Sequence, residues 1–78
     1  MLTGDQVRMG RAAVGWGVRE LASKAKVTPN TVSRIEKGGD ALASTLDRIQ
    51  AALEDAGVIF IDEDEEGPGV RLRKNRDS

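Results

Sequence analysis

The 78 residues of this chain include no cysteine, no histidine and no tyrosine, and only one tryptophan and one phenylalanine. The absence of cysteine and histidine excludes disulfides, Cys/His zinc sites, thiol nucleophiles and serine–histidine catalysis. So little aromatic volume gives a chain of this length a modest core, to which association with a second chain would add stability. The composition therefore favours a single small domain without a cofactor or a metal.

Long apolar runs are also missing. The longest is Val58–Ile61, far shorter than the ~20 residues that a membrane-spanning helix needs. The start of the chain shows none of the features of a secretory signal peptide. We therefore expect a cytoplasmic protein that does not enter a membrane.

The net charge of −1 hides an uneven distribution of charged residues. Residues 1–37 hold seven Lys/Arg against three Asp/Glu, whereas the run Asp62–Glu66 is entirely acidic. Because clustered positive charge is what neutralises DNA phosphates, the first half of the chain is the candidate nucleic-acid-binding part. Phosphate would repel the acidic run, which we interpret as a solvated turn.

Residues 16–38 predict two short helices joined by a tight turn. The start of the second helix is marked by Thr28 and Pro29, because a threonine hydroxyl caps free backbone N–H groups and proline suits the first helical position. Val32 and Ile35 give this helix one buried edge. In the first helix an apolar stripe at i, i+3, i+4 and i+7 is formed by Val18, Leu21, Ala22 and Ala25.

The outer face of the second helix carries side chains that suit DNA. Arginine matches the two acceptors of guanine, asparagine matches the donor and acceptor of adenine, and small hydroxyl residues allow close approach. A solvated helix face is the alternative, but such a face is normally rich in the better helix formers Glu, Gln and Lys. The candidate base-contacting residues are Asn30, Thr31, Ser33 and Arg34.

Residues 19–38, RELASKAKVTPNTVSRIEKG, resemble the helix-turn-helix of the phage-repressor/Cro-like, or XRE-type, family of bacterial transcriptional regulators. The resemblance is carried by Glu-Leu-Ala in the first helix, the valine before the cap and the final Ile-Glu-x-Gly. It extends over residues 2–57. It implies a mainly α fold with a four-helix DNA-binding domain at residues 1–57, in which the recognition helix Pro29–Lys37 reads the major groove.

The resemblance also implies an internal ion pair, in which Arg11 ties the first helix to Glu36 at the end of the recognition helix. We take this pair as structural. For contacts to DNA phosphates the candidates are Arg19, Thr28 and Lys37.

Two positions depart from the family pattern. Gly17-Val18 stands where the first helix of the motif usually opens with Ser or Thr followed by Gln, so one phosphate contact of the family is in doubt. Lys26 replaces the glycine of the turn, where a positive φ is costly for any other residue.

Further helices are predicted on either side of the motif. Thr3 and Gln6 have the spacing of a capping box at the start of a first helix. Ser44 is the expected cap of a last helix over Thr45–Ala56, with Gly57 as its stop.

The final 21 residues predict a β-hairpin over residues 58–73 and a tail at residues 74–78. Two short runs of β-forming or alternating residues flank a Gly-Pro-Gly turn. Because an isolated hairpin is marginal in water, one of its faces needs a partner, and a second copy of the chain is the simplest one. The predicted dimerisation residues are Val58, Ile59, Phe60, Ile61, Val70 and Leu72.

The leading hypothesis is a sequence-specific homodimeric transcriptional regulator, acting as a repressor, that binds an inverted-repeat site in double-stranded DNA. The alternative is an antitoxin or other partner-binding protein that autoregulates its own operon. A regulatory protein partner, or a neighbouring toxin gene, would be the evidence for it. An enzyme is the weakest hypothesis, because the consecutive carboxylates of Asp62, Glu63, Asp64 and Glu65 lack groups that would shape a catalytic or metal site.

Overall fold

A computed structural model describes residues 2–62 and 64–74, so that only Lys74 of the predicted tail lies within the described residues. The fold is mainly helical, with four helices followed by a two-stranded antiparallel sheet, and this confirms the predicted fold class. The elements are α1 (Gly4–Ala13), α2 (Val18–Ala25), α3 (Pro29–Glu36), α4 (Ala43–Asp55), β1 (Val58–Ile61) and β2 (Gly69–Leu72).

The capping box predicted at the start of α1 is present. The hydroxyl of Thr3 accepts a hydrogen bond from the backbone N–H of Gln6 at 3.1 Å, and the Gln6 side-chain oxygen accepts one from the Thr3 N–H at 3.0 Å. Two of the N–H groups that a helix start leaves free are therefore paired.

The turn between α2 and α3 depends on the backbone of Lys26, which has φ 59° and ψ 45°. The lysine thus adopts the left-handed conformation that glycine usually supplies at the end of a helix. Its N–H bonds to the Ser23 carbonyl at 3.3 Å, and the N–H of Val27 reaches the Ala22 carbonyl at 3.0 Å. Two of the last carbonyls of α2, those of Ala22 and Ser23, are therefore satisfied despite the missing glycine. At the other end of α2, Gly17 is the cap and supplies no side-chain hydrogen bond.

Helix α3 begins as predicted, with the Thr28 hydroxyl accepting from the Thr31 N–H at 3.2 Å and Pro29 in the first turn. It ends at Glu36, one residue before the predicted Lys37, which is the C-cap.

The predicted cap of α4 was wrong. The helix begins at Ala43, and its N-cap is Leu42, which has the extended backbone (φ −66°, ψ 147°) that the position requires. Because the Leu42 carbonyl already accepts from the N–H groups of Thr45 and Leu46, Ser44 lies inside the first turn rather than before it. The C-terminal stop at Gly57 agrees with its φ of 106°.

A single apolar core joins all four helices to the first strand. Its smaller members are two alanines of α2, which allow that helix to approach its neighbours closely. The buried apolar residues are Val7, Leu21, Ala22, Ala25, Val32, Ile35, Ile49, Leu53 and Val58.

The hairpin lays one face on this core. Residues directly opposite in an antiparallel pair share a face, and the register pairs Val58 with Leu72 and Phe60 with Val70. Phe60 and Val70 pack against the buried cluster. The opposite face carries Ile59, which pairs with Arg71, and Ile61, which pairs with Gly69.

The predicted dimerisation residues therefore do not form one exposed surface. Val58 is 1% exposed and belongs to the core of its own chain, so its side chain is not available to a partner. The run of four apolar residues did not reveal this, because both of its faces are apolar. The exposed apolar side chains on the hairpin are Ile59 and Leu72, at 38% and 36%.

Candidate nucleic-acid interface

Helix α3 is oriented by the two residues it buries. Val32 is 0% and Ile35 is 3% exposed, and both pack into the core. The side chains one turn apart on the opposite edge, Asn30 and Arg34, are therefore held in solvent. Both types of side chain hydrogen-bond base edges in the major groove.

An open depression lies along this exposed edge. Its lining brings together four residues that were predicted from the sequence to touch DNA, three as base contacts and one as a phosphate contact. The lining residues are Asn30, Ser33, Arg34, Lys37 and Gly39.

The remaining candidate DNA-contacting residues lie outside the depression. The hydroxyls of Thr28 and Thr31 are 2.9 Å apart and bond to each other at the start of α3, and the Thr28 hydroxyl also accepts the Thr31 N–H. Arg19 is exposed on the separate helix α2. Their DNA contacts stay predictions.

The sequence did not single out Gly39 as part of this surface. A Cβ built on Gly39 would lie 2.6 Å from Arg34 Cγ and 2.9 Å from the Arg34 carbonyl oxygen. The Gly39 N–H also bonds to that carbonyl at 2.9 Å. Because Gly39 has no side chain, the Arg34 side chain can cross over the backbone at this position. The sequence signal for this feature is the Gly38-Gly39 pair.

Arg11 and Glu36 form a two-point ion pair between α1 and the end of α3. Arg11 Nε lies 2.8 Å from Glu36 Oε2, and Arg11 Nη2 lies 3.0 Å from Glu36 Oε1. The Glu36 side chain is 8% exposed and that of Arg11 is 21%. A parallel pair of this kind fixes the relative orientation of the two groups. Arg11 Nη1 also donates to the Trp16 carbonyl at 3.2 Å.

Glu36 raises the pKa of Arg11 above its ordinary value, first through the hydrogen bonds and also through its charge, against an opposing effect of burial. Because its pKa is raised above an already high value, the guanidinium of Arg11 stays charged over the ordinary pH range. A mildly alkaline pH therefore does not deprotonate Arg11, and the stability that the ion pair contributes is kept there.

Two features of the described residues bear on other classes of protein. No helix among them has the length and apolar character needed to cross a bilayer. Within residues 2–62 and 64–74, the Asp and Glu side chains form no group placed to hold a metal ion.

Two helices joined by a tight turn, of which the second exposes a polar and basic edge, define a helix-turn-helix domain. A family model described as helix-turn-helix matches residues 7–54, more than half of the chain. The chain therefore belongs to the XRE/Cro-like helix-turn-helix family, a family of DNA-binding regulators. No curated protein matches it at a significant level.

Proposed function

We propose that this protein is a sequence-specific, homodimeric transcriptional regulator that inserts α3 into the major groove of an inverted-repeat site. The observation that carries the proposal is the depression lined by Asn30, Ser33, Arg34 and Lys37 on the edge of α3 opposite its two buried residues. It combines base-reading side chains with a cation for the phosphate backbone.

Each side chain has a role that follows from its chemistry. Arg34 presents a planar guanidinium that pairs with the two acceptors of guanine, and Asn30 can bond both the donor and the acceptor of adenine. Ser33 lines the same depression and is small enough to let the helix approach the bases. Lys37, at the C-terminal end of α3, offers a flexible point charge that suits a phosphate rather than a base.

The dimer is proposed to form through the hairpin. Ile59 is a large apolar side chain left exposed on the face of the hairpin that points away from the core, and it shares that face with Ile61. Burying this face against a second copy would remove apolar surface from water. A two-fold dimer places its recognition helices about 34–36 Å apart, which matches two half-sites one DNA turn apart.

Repression is the regulatory outcome that DNA occupancy alone can produce. A dimer seated on an operator that overlaps a promoter excludes the polymerase from the same base pairs. We place this activity in the cytoplasm, where the DNA of a bacterium is accessible.

The test is selection of bound sequences from a random double-stranded library with the full chain. An enriched inverted repeat supports the proposal, whereas binding without any enriched motif contradicts sequence-specific recognition. Arg73→Ala is the matched control for Arg34→Ala: it removes the same charge from the hairpin and should leave the selected motif unchanged.

An antitoxin or other partner-binding protein is the second candidate, and the same exposed face of the hairpin is what favours it. In that case a different protein, not a second copy, would cover Ile59. A full chain that sediments as a monomer, together with a neighbouring toxin gene, would decide for this alternative.

A further inference from the structure

Helix α1 contacts both functional parts of the molecule, the recognition helix on one side and the hairpin on the other. Its contact with α3 is close: a Cβ at Gly4 would lie 2.2 Å from the Ile35 carbonyl oxygen, so that only glycine fits there. Arg8 Nη1 donates to the Glu36 carbonyl at 2.9 Å, in addition to the ion pair between Arg11 and Glu36. The orientation of α3 is therefore fixed relative to α1.

The contact of α1 with the hairpin is made by Gln6, the one polar residue among the buried residues described. Its side-chain Nε2 donates to the Ile61 carbonyl at 2.8 Å and to the Gly69 carbonyl at 3.1 Å. A primary amide has two N–H donors, and here each has its own carbonyl. Its oxygen meanwhile accepts from the Thr3 N–H, so the whole amide is engaged.

The two carbonyls that Gln6 contacts lie at the turn end of the hairpin. Ile61 and Gly69 are the strand pair nearest the turn, whereas Val58, which is buried in the core, lies at the other end of β1. The hairpin is thus attached at both ends. Apolar packing at Val58 is non-directional, but hydrogen bonds at the turn end restrict the direction in which the strands leave the core.

We infer that Gln6 is a positioning residue that sets the spacing between the two half-sites the dimer recognises. The inference rests on the proposed function, in which the hairpin forms the dimer interface and α3 reads DNA. With α3 and the hairpin both held on α1, the direction of the hairpin determines where the second recognition helix lies. Gln6 acts through the hairpin and touches no DNA.

The preferred spacing between half-sites is a sensitive measure of the direction in which the hairpin leaves the core. Each added base pair moves a half-site by roughly 3.4 Å and rotates it by roughly 34–36° about the DNA axis. A dimer with a rigid hairpin can match only one spacing well. A dimer whose hairpin tilts should accept several.

The experiment uses the full chain with Gln6→Glu, on inverted repeats of the selected half-site whose spacers differ by one base pair. Glutamate keeps the side-chain oxygen that accepts from the Thr3 N–H. Ionised, it donates to neither carbonyl, and protonated it has one O–H for the two carbonyls of Ile61 and Gly69, so the two-point attachment is lost in either form. The parent should prefer its best spacer about tenfold over the neighbouring ones. The variant should lose most of that preference, to about twofold or less, while its affinity for a single half-site stays within about twofold of the parent's.

Thr3→Val is the matched control. It removes the hydroxyl that caps α1 and leaves the Gln6 amide free to hold the hairpin, so it should lower the melting temperature without changing the spacer preference. If helicity shows that Gln6→Glu does not fold, Gln6→Met takes its place, since it has similar length and buries no charge.

The outcomes separate this inference from the function on which it rests. A parent that binds no inverted repeat, or that stays monomeric, contradicts the proposed function itself. A parent with a clear spacer preference that folded Gln6 variants retain overturns the role of Gln6. Equal loss of preference in Thr3→Val, or equal loss of single half-site binding in Gln6→Glu, also overturns it, because the effect would then come from general destabilisation.

Discussion

The Arg34 side chain crosses directly over Gly39, so closely that a single added methyl group at Gly39 would lie 2.6 Å from Arg34 Cγ. The candidate base-reading arginine is therefore positioned by a residue five places later in the chain, outside its own helix. Since the same methyl group would also come within 2.9 Å of the Arg34 carbonyl, the chain cannot avoid it by moving the flexible end of the arginine alone.

Gly39→Ala should therefore weaken binding to the selected site by about 1–3 kcal/mol, the range expected when one base contact is lost. Binding to unrelated DNA should change much less, because the charge of Arg34 is kept. Fluorescence anisotropy on both DNAs measures the difference. Gly69→Ala is the control, since a Cβ there meets nothing within 4 Å in its own chain. Because Gly69 lies on the hairpin face proposed to form the dimer, the two variants are compared on a single half-site. If the two alanine variants bind alike, Gly39 does not position Arg34.

Arg34→Ala and Lys37→Ala distinguish base contacts from phosphate contacts. Loss of Arg34 should cost roughly 1–3 kcal/mol on the preferred site and relax the preference at one base pair. Loss of Lys37 should weaken binding to all sequences evenly and lower the slope of log K against log salt by about one. Salt titrations on selected and unrelated DNA give both quantities. Uniform weakening by Arg34→Ala would make it a phosphate contact.

The pair formed by Arg11 and Glu36 predicts a compensating double substitution. Arg11→Met leaves a carboxylate in a site where the Glu36 side chain is 8% exposed, which should lower the free energy of unfolding by about 1–3 kcal/mol. Adding Glu36→Leu removes the unpaired charge, so the double variant should be more stable than Arg11→Met alone. Urea unfolding of the parent, Arg11→Met, Glu36→Leu and the double variant completes the cycle. A loss in the double variant equal to the sum of the two single losses would show that the pair is not coupled.

Features that depend on neighbours within one helical turn were predictable from the sequence. The capping box of Thr3 and Gln6, the start of α3 at Thr28-Pro29 and the burial of Val32 and Ile35 all follow from spacings of three or four residues. The edge of α3 that faces solvent then follows from the edge that is buried.

Features that depend on distant contacts were not predictable. Gln6 was identified as a capping residue, but its bond to the Ile61 carbonyl joins positions 55 residues apart, and no local pattern encodes it. The burial of Val58 was not predicted for the same reason, since an apolar run does not show which of its faces meets the core. The prediction of where α4 starts was wrong because a serine near a helix start is compatible with more than one position in the first turn.

Lys26 offers a test of the turn between α2 and α3. A left-handed conformation costs a residue with a Cβ about 1–2 kcal/mol, and the unfolded chain gains freedom when glycine is introduced. Relief of the backbone strain outweighs the added freedom of the unfolded chain, so Lys26→Gly should be more stable than the parent by about 0.5 kcal/mol. This corresponds to a rise of about 2–4 °C in Tm. Ser23→Gly, within α2, should instead lower Tm. If Lys26→Gly melts below the parent, the lysine side chain contributes a contact that outweighs the backbone strain.

Ile59 is the residue at which the proposed dimer can be tested without disturbing the core. It is 38% exposed on the face of the hairpin opposite Phe60 and Val70, whereas its neighbour Val58 is 1% exposed. Truncation at Gly57 would remove Val58 from the core and destabilise the fold, so a point substitution is the cleaner change. Ile59→Lys should keep the helicity of the parent and weaken dimerisation about tenfold or more, because it places a charge where apolar surface is buried.

Sedimentation of Ile59→Lys and the parent at equal concentration measures this effect, and Leu42→Lys supplies the control. Leu42 is 74% exposed at the start of α4. Leu42→Lys therefore replaces an apolar side chain of the same size with the same charge, but outside the hairpin. The parent and Leu42→Lys should sediment as dimers, and Ile59→Lys should shift toward monomer. The half-site affinity of Ile59→Lys should be unchanged while its affinity for the full inverted repeat falls, since only the pairing of two recognition helices is lost. A shift toward monomer in Leu42→Lys alone would move the interface from the hairpin to the start of α4.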